Sequence, residues 1–255
     1  MEANTGHDLS QINVMRDALG VMNTFGIQMI KMSNIHLSDG ETQTHIEGCT
    51  PCRQMYISCK PKVPLDFEDV IVVPRVPQIV AAINQAVFHE EGTELTFGDG
   101  GIPSLTVRSG DTVIETRLSP KSMAPTLPSP REVNWDVTIE PDQKRVKEFR
   151  SFTGLFNDVA KNGTPSVTNG KFIVTMGDAA SNTTTHSGAF EFGVYDPSMN
   201  LAPTYSYDNT KMAQAMVAPR DSQVIVKISK LGVVMVELVT PYADYRIMIR
   251  PVTSK

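Results

Sequence analysis

Residues 119–131 read SPKSMAPTLPSPR, with four prolines in 13 positions. Each proline lacks a backbone donor and has a fixed φ, so neither a helix nor a sheet ladder can run through the stretch. Such a segment is an extended, semi-rigid connector. It stands almost at the middle of the 255 residues. The chain is therefore expected to fold as two domains, 1–118 and 132–255, joined by 119–131.

The two halves carry a similar plan. In the first, a periodic segment at 10–24 predicts a helix capped by Asp8 or Ser10, whose side chains accept from the open amides of a first turn. Short β-like runs follow at 27–32, 35–37, 44–47, 54–59 and 70–73. A helix over 78–89 comes next, behind Pro77, a residue that a first turn tolerates. Alternating runs at 93–97, 104–108 and 112–118 predict strands, with turns at 98–101 and 109–111. In the second half, strands at 133–139, 171–176 and 189–194 accompany a helix at 144–161. A short helix at 210–218, capped by Asn209, precedes strands at 223–228, 233–239 and 245–249. One echo supports duplication: Arg16-x-x-x-Gly20-x-x-Asn23 returns 134 residues later as Arg150-x-x-x-Gly154-x-x-Asn157. The expected fold class is α+β, a duplicated domain with two helices packed on antiparallel sheet.

Hydrophobic residues at 40% and charged residues at 20% support a packed core and exclude wholesale disorder. No run approaches the roughly 18 apolar residues of a membrane-spanning helix, so no membrane partner is expected. The first 30 residues lack the basic, apolar, small-residue order of a signal peptide. Three cysteines, an odd number, do not make a disulfide framework and point to a reducing cytoplasm. With 23 bases against 28 acids the net charge is −5, which argues against a protein that coats nucleic acid with its whole surface. A local basic strip remains possible.

The helix at 144–161 shows where such a strip lies. Projected at about 100° per residue, Val146, Phe149, Phe152, Leu155, Phe156 and Val159 share one face. Lys147, Arg150, Gly154, Asn157 and Lys161 share the other, with no carboxylate among them. Solvated helix faces normally mix signs, because interspersed acids relieve repulsion. The helix at 10–24 turns Ile12, Met15, Leu19 and Met22 inward and Asn13, Arg16, Gly20 and Asn23 outward, with Asp17 at the border. The helix after Pro77 exposes Gln78, Gln85 and His89, and the last helix offers Lys211 and Gln214, with Arg220 just beyond. Four acid-poor faces in an acidic chain fit a surface that meets phosphate while the remainder stays negative. No aromatic residues interleave, so the expected partner is a backbone rather than stacked bases.

Catalytic chemistry is not legible. Cys49-x-x-Cys52, with Cys59 and His45, offers four zinc ligands or a redox pair, but a zinc knuckle needs a second closely spaced pair. These residues read as ordinary loop and strand cysteines. His89-Glu90-Glu91 is not HExxH, the turn at 98–101 has no P-loop lysine, and no GxSxG occurs. No catalytic residue, metal site or cofactor is expected.

The duplicated unit, the mid-chain connector, the run Phe67-Glu68-Asp69-Val70-Ile71-Val72-Val73-Pro74 and the closing Tyr245-Arg246-Ile247-Met248-Ile249-Arg250-Pro251 together resemble DNA sliding clamps. The likeness is to the two-domain processivity factors of T-even-type phages and, more distantly, to proliferating cell nuclear antigen, over about residues 8–252. The resemblance implies a ring of six domains, hence a homotrimer, with sheets outside and helices around duplex DNA. It implies a DNA polymerase and a clamp loader as partners, and the host-cell cytoplasm if the setting is viral. It makes Arg16, Asn23, Arg75, Lys147, Arg150, Asn157, Lys161, Lys211 and Arg220 the DNA-facing residues. It places client peptides beneath the connector, against Met123, Leu127, Pro128, Leu231, Val233, Met248 and Pro251. Subunits would join edge to edge, Thr112, Ile114 and Thr116 of one chain against Phe172 and Val174 of the next. The absence of any Lys or Arg between Gln78 and His89, the cysteine region and the polar loop at 177–187 have no counterpart in that pattern. The alternative is a non-enzymatic β-rich structural protein of a viral assembly, whose helices would face protein.

Overall fold

The computed structural model describes residues 10–68, 70–98, 102–128, 132–156, 158–177, 187–219 and 221–252. They form two compact units, Met1–Ser129 with Thr240–Tyr245, and Pro130–Val239 with Arg246–Lys255. Asp8, Asn157, Arg220, the tip of the turn at 98–101, the end of the connector and most of the 177–187 loop lie outside the described residues.

The first unit runs α1 (Gln11–Thr24), β1 (Met29–His36), β2 (Thr42–Cys49), β3 (Met55–Pro61), β4 (Val70–Pro74), α2 (Val76–Ile83), β5 (Glu94–Gly98), β6 (Ser104–Ser109), β7 (Thr112–Arg117) and the two-residue β8 (Ser119–Pro120). One sheet has the order β8-β4-β1-β2-β3, and a second has the order β5-β6-β7. Helix α1 buries Ile12, Met15, Leu19 and Met22, the i, i+3, i+4 spacing of a single helical face. Each such side chain taken from water stabilises the unit by about 1.5–3 kcal/mol.

The second unit runs β9 (Val137–Ile139), α3 (Gln143–Gly154), β10 (Asn162–Thr168), β11 (Lys171–Met176), β12 (Gly188–Val194), β13 (Tyr207–Asp208), α4 (Asn209–Ala215), β14 (Gln223–Ser229), β15 (Val233–Val239) and β16 (Ala243–Ile249), whose first three residues belong to the first unit. Its sheets are ordered β16-β15-β14-β9 and β12-β11-β10-β13. Six phenylalanines knit α3 to this second sheet. Phe149 lies 5.2 and 5.0 Å from Phe190 and Phe192, and Phe152 lies 5.1 Å from Phe156. Phe172 completes the cluster 5.0 Å from Phe192. Among the described residues each unit thus has a helix, four strands, a second helix and three strands in that order, with the short β8 added after the first set and β9 ahead of the second, so the α+β duplication read from sequence is present.

Several boundaries differ from the sequence expectation. Helix α3 stops at Gly154, where Leu155 N–H donates to Phe152 O and Phe156 N–H to Thr153 O, the tighter i→i+3 pattern of a helix end. Past that point the 100° projection fails. Leu155, placed on the apolar face by periodicity, is 74% exposed, and Lys161 leads into β10, a strand the sequence did not reveal. Helix α2 begins at Val76 and ends at Ile83, because the Ile83 carbonyl accepts from Arg16 instead of from a further helical turn. The cap of α4 is Asp208, whose carboxylate accepts from Lys211 N at 3.0 Å, whereas Asn209 is buried one position later.

Candidate nucleic-acid and partner surfaces

The exposed face of α3 is the most coherent charged feature of the second unit. Asp142 caps the helix, accepting from Lys144 N at 2.7 Å and placing a carboxylate where the helix dipole favours one. Lys144, Lys147, Arg150, Ser151 and Gly154 then stand exposed. Among the described residues, neither Lys147 nor Arg150 has an acidic partner. The helix's own acid, Glu148, pairs with Arg145 on the flank; Arg145 also donates to the Glu191 carbonyl and lies 4.5 Å from the Phe190 ring centroid. Attractive contacts thus hold the mixed-sign pair against β12 and leave an outer stripe that is purely basic. Lys211 on α4 is half-buried, 3.8 Å from Asp208, so its charge is partly answered within the chain. Lys161 is exposed but lies off the helix.

The first unit presents a thinner positive surface. Arg75, exposed at the start of α2, has a left-handed backbone with φ 52°. Arg16 is committed elsewhere. Its Nε and Nη2 donate to the Ile83 carbonyl at 3.1 and 3.0 Å, Nη2 also donates to the Phe88 carbonyl, and Nη1 donates to Asn13 Oδ1 at 3.0 Å. The guanidinium therefore closes the end of α2, and its burial pulls its pKa down from the usual value. Asn23 is half-buried on the same helix. Asp17, the acid at the border, turns inward: Oδ2 accepts from Tyr245 OH at 2.6 Å and from Thr240 Oγ1 at 2.8 Å. Burial is the largest influence on its carboxyl and raises its pKa, against the lowering by both hydroxyls and Lys62.

Gly20 and Gly154 occupy equivalent places in the echoed motif. A Cβ added at either would meet nothing within 4 Å, and neither needs a positive φ. Nothing in the chain's own packing requires a glycine there, and within a helix glycine costs about 1 kcal/mol relative to alanine.

In the second unit, a groove of about 690 Å³ brings together Leu231 and Met248, both expected, with Trp135, Met235, Arg246 and Glu132, which were not. Glu237 in its lining pairs with Lys227 at 2.8 Å and with Arg246 at 3.9 Å. Leu231 is 65% exposed at the β14–β15 turn. Val233 and Pro251 are half-buried outside this lining. Met123, Leu127 and Pro128 belong to the first unit, Met123 exposed and the other two half-buried. The sole tryptophan at the start of the second half was the available signal for this groove.

The expected subunit edges need one correction. β7 is an edge strand, paired with β6, with Thr112 exposed and Ile114 and Thr116 half-buried. β11 is not an edge: it pairs with β10 on one side and β12 on the other, and Phe172 and Val174 are fully buried. They cannot form a subunit contact. Among the described strands the edges of that sheet are the two-residue β13 and β12, where Val194 is 65% exposed. The turn after α3 packs over its start, since a Cβ on Gly188 would come within 2.7 Å of Phe156 Cζ. Leu155 and Val159 stand exposed in the same region of sequence.

Cys49, Cys52 and Cys59 are not joined in disulfides and are half-buried, exposed and buried respectively; burial raises the pKa of the Cys59 thiol well above the usual value. Among the described residues no group of His, Cys, Asp and Glu is arranged to hold a metal ion. No described helix is long and apolar enough to cross a membrane.

No protein-family model matches the sequence, and no curated protein matches it. Solved structures do. The PCNA of A. fulgidus, bound to the C-terminal region of FEN-1, matches with a TM-score of 0.69 at 12% identity, over 96% of this chain and 98% of that one. The PCNA of Thermococcus kodakaraensis matches at 0.66 and 12% identity, over 96% of this chain and 98% of that one. The PCNA2–PCNA3 complex of Sulfolobus tokodaii matches at 0.62 and 13%, over 95% and 97%. With near-complete coverage on both sides, the fold of this chain is that of the PCNA-type sliding clamp.

Proposed function

We propose that this chain is a DNA sliding clamp, a non-catalytic processivity factor that closes around duplex DNA as a homotrimeric ring and tethers a DNA polymerase and other clients. The observation that carries the reading is the outer face of α3. Lys147 and Arg150 are exposed with no acidic partner among the described residues, while Glu148 and Asp17 are drawn away from the outer helix faces, in a protein of net charge −5 on a clamp fold. Screened, exchangeable contacts to phosphate suit a ring held by topology, since tight binding would oppose sliding. Arg75 and Lys161, both exposed, add to this basic surface, Lys211 and Asn23 are half-buried beside it, and Arg16 acts as a brace. Tethering makes each polymerase rebinding effectively intramolecular, which raises local concentration without chemistry.

The corrected subunit joint is β7 of one chain against β12 of the next, with Leu155 and Val159 covered by the contact. Clients dock in the Trp135–Leu231–Met248 groove, and a clamp loader opens the ring. The likeness of 67–74 and 245–251 to T-even-type phage clamps supports a viral setting in the host cytoplasm. The test is retention on DNA, combined with native mass and negative-stain imaging. The protein should be a three-subunit ring that stays on nicked circular DNA after loading and runs off once the circle is cut. Lys147→Glu with Arg150→Glu should reduce retention about tenfold or more while the trimer persists. A monomer at high concentration, or retention indifferent to linearisation, would sink the clamp reading.

A further inference from the structure

The first unit holds a second concave surface to which the clamp reading gives no task. A groove of about 600 Å³ lies between the start of β4, the β5–β6 end and the chain leaving β7. Its floor is apolar. The Phe67 and Phe97 rings meet at 5.3 Å between centroids, and Ile71 and Leu118 are buried beside them. Its rim is acidic: Asp66 and Glu68 stand exposed one residue to either side of Phe67. Neither has an ion-pair partner among the described residues. Lys121, the base among the described lining residues, already has an interaction of its own.

Two strand edges border this floor. Among the described strands β5 pairs with β6 alone, and β8, two residues long and ending in Pro120, is the edge of the other sheet. An open edge offers backbone donors and acceptors to an extended segment, while alternate side chains of that segment enter a pocket beside it. The carboxylates decide the charge of the visitor. They repel phosphate and acidic chains, and they favour a cation whose aliphatic stem can lie along the apolar floor.

We propose that this groove docks a cationic peptide segment. It is an extended stretch that lays one large apolar side chain against Phe67 and Phe97 and sets Lys or Arg on each side of it toward Asp66 and Glu68. The site is distinct from the basic face of α3 and carries the opposite charge, so one chain can present phosphate-binding and cation-binding surfaces without competition between them. Both carboxylates are solvent-exposed, so the attraction is moderate and salt-sensitive. Affinity comes from the aromatic floor, and the acids set which partner is accepted.

The experiment uses the full chain and a dye-labelled hexapeptide KRLFKR, with EELFEE as its control, read by fluorescence anisotropy at low and physiological salt. KRLFKR should bind, weaken as salt rises, and outcompete EELFEE. Asp66→Lys combined with Glu68→Lys turns two attractions into two repulsions. It should lower KRLFKR affinity about tenfold, roughly 1.4 kcal/mol, and admit EELFEE. Because both positions are exposed, the far-ultraviolet circular dichroism and melting of that variant should match the parent. Phe97→Leu, which keeps an apolar floor but removes the ring pair, should weaken both peptides alike. The proposal fails if KRLFKR does not bind, or if it binds the doubly reversed chain as well as the parent. It also fails if the reversal abolishes self-association of the chain, which would make the occupant a second copy. Ring closure and DNA retention are measured separately, so failure here leaves the clamp reading standing.

Discussion

Replacing Asp17 by alanine removes the acceptor shared by two buried hydroxyls. Tyr245 and Thr240 are 1% and 2% exposed, and their hydroxyls donate to Asp17 Oδ2 at 2.6 and 2.8 Å. Thr240 keeps an alternative, since Oγ1 also lies 3.1 Å from the Ala243 carbonyl. Tyr245 loses its charged acceptor. One hydrogen bond to a charged group, with partial loss of a second, costs about 2–3 kcal/mol. Asp17→Asn behaves differently, because the amide oxygen still accepts from both hydroxyls and no charge is buried. The pH dependence fixes the sign. Burial raises the Asp17 pKa above 3.8 in the folded chain. The folded state therefore holds the proton more tightly, so its stability contribution is complete below the unfolded value and disappears as pH rises through the folded one. Urea midpoints at fixed protein concentration, measured from pH 3.5 to 7, should show wild type losing ground to Asp17→Asn as pH rises. Asp17→Ala should be the least stable at every pH. An alanine variant within about 0.5 kcal/mol of wild type would refute the argument, as would an Asn variant that loses ground with rising pH.

Gly20→Ala should raise stability by about 0.5–1 kcal/mol in thermal or urea unfolding, because the new Cβ meets nothing; Gly20→Glu should leave the fold equally intact yet reduce DNA retention. Arg16→Ala should cost about 2 kcal/mol by uncapping the Ile83 and Phe88 carbonyls, and its loss of DNA retention should be smaller than that of Lys147→Glu. Leu231→Ala with Met248→Ala should lower client-peptide affinity in a titration by about tenfold without changing the native mass, since both line the Trp135 groove.

The α3 face was legible because helical periodicity is a local property. Val146, Phe149 and Phe156 are buried, and Lys147 and Arg150 are exposed, as their spacing requires. The same reasoning failed one turn later, at Leu155 and Lys161, since the helix end depends on i→i+3 bonds that no periodicity encodes. Strand runs were mostly found, but β10 was hidden behind the overextended helix, and its Asn162, Gly163 and Pro165 are residues that strand propensity disfavours. The groove at Trp135 was half legible, because Leu231 and Met248 come from strand ends that only pairing brings near residue 135.

By itself the sequence determined the apolar and basic faces of α3, because side-chain period acts between near neighbours; its prolines marked 119–131 as a connector, although Ser119 and Pro120 pair with β4 as β8. Tertiary structure alone decided which strand is an edge. Phe172 and Val174 share one face of β11 whether the strand lies at the rim or, as here, between β10 and β12. It also decided that Arg16 braces α2 and that Asp17 turns toward Tyr245, since those partners lie 67 and 228 residues away and charge has no memory of sequence distance.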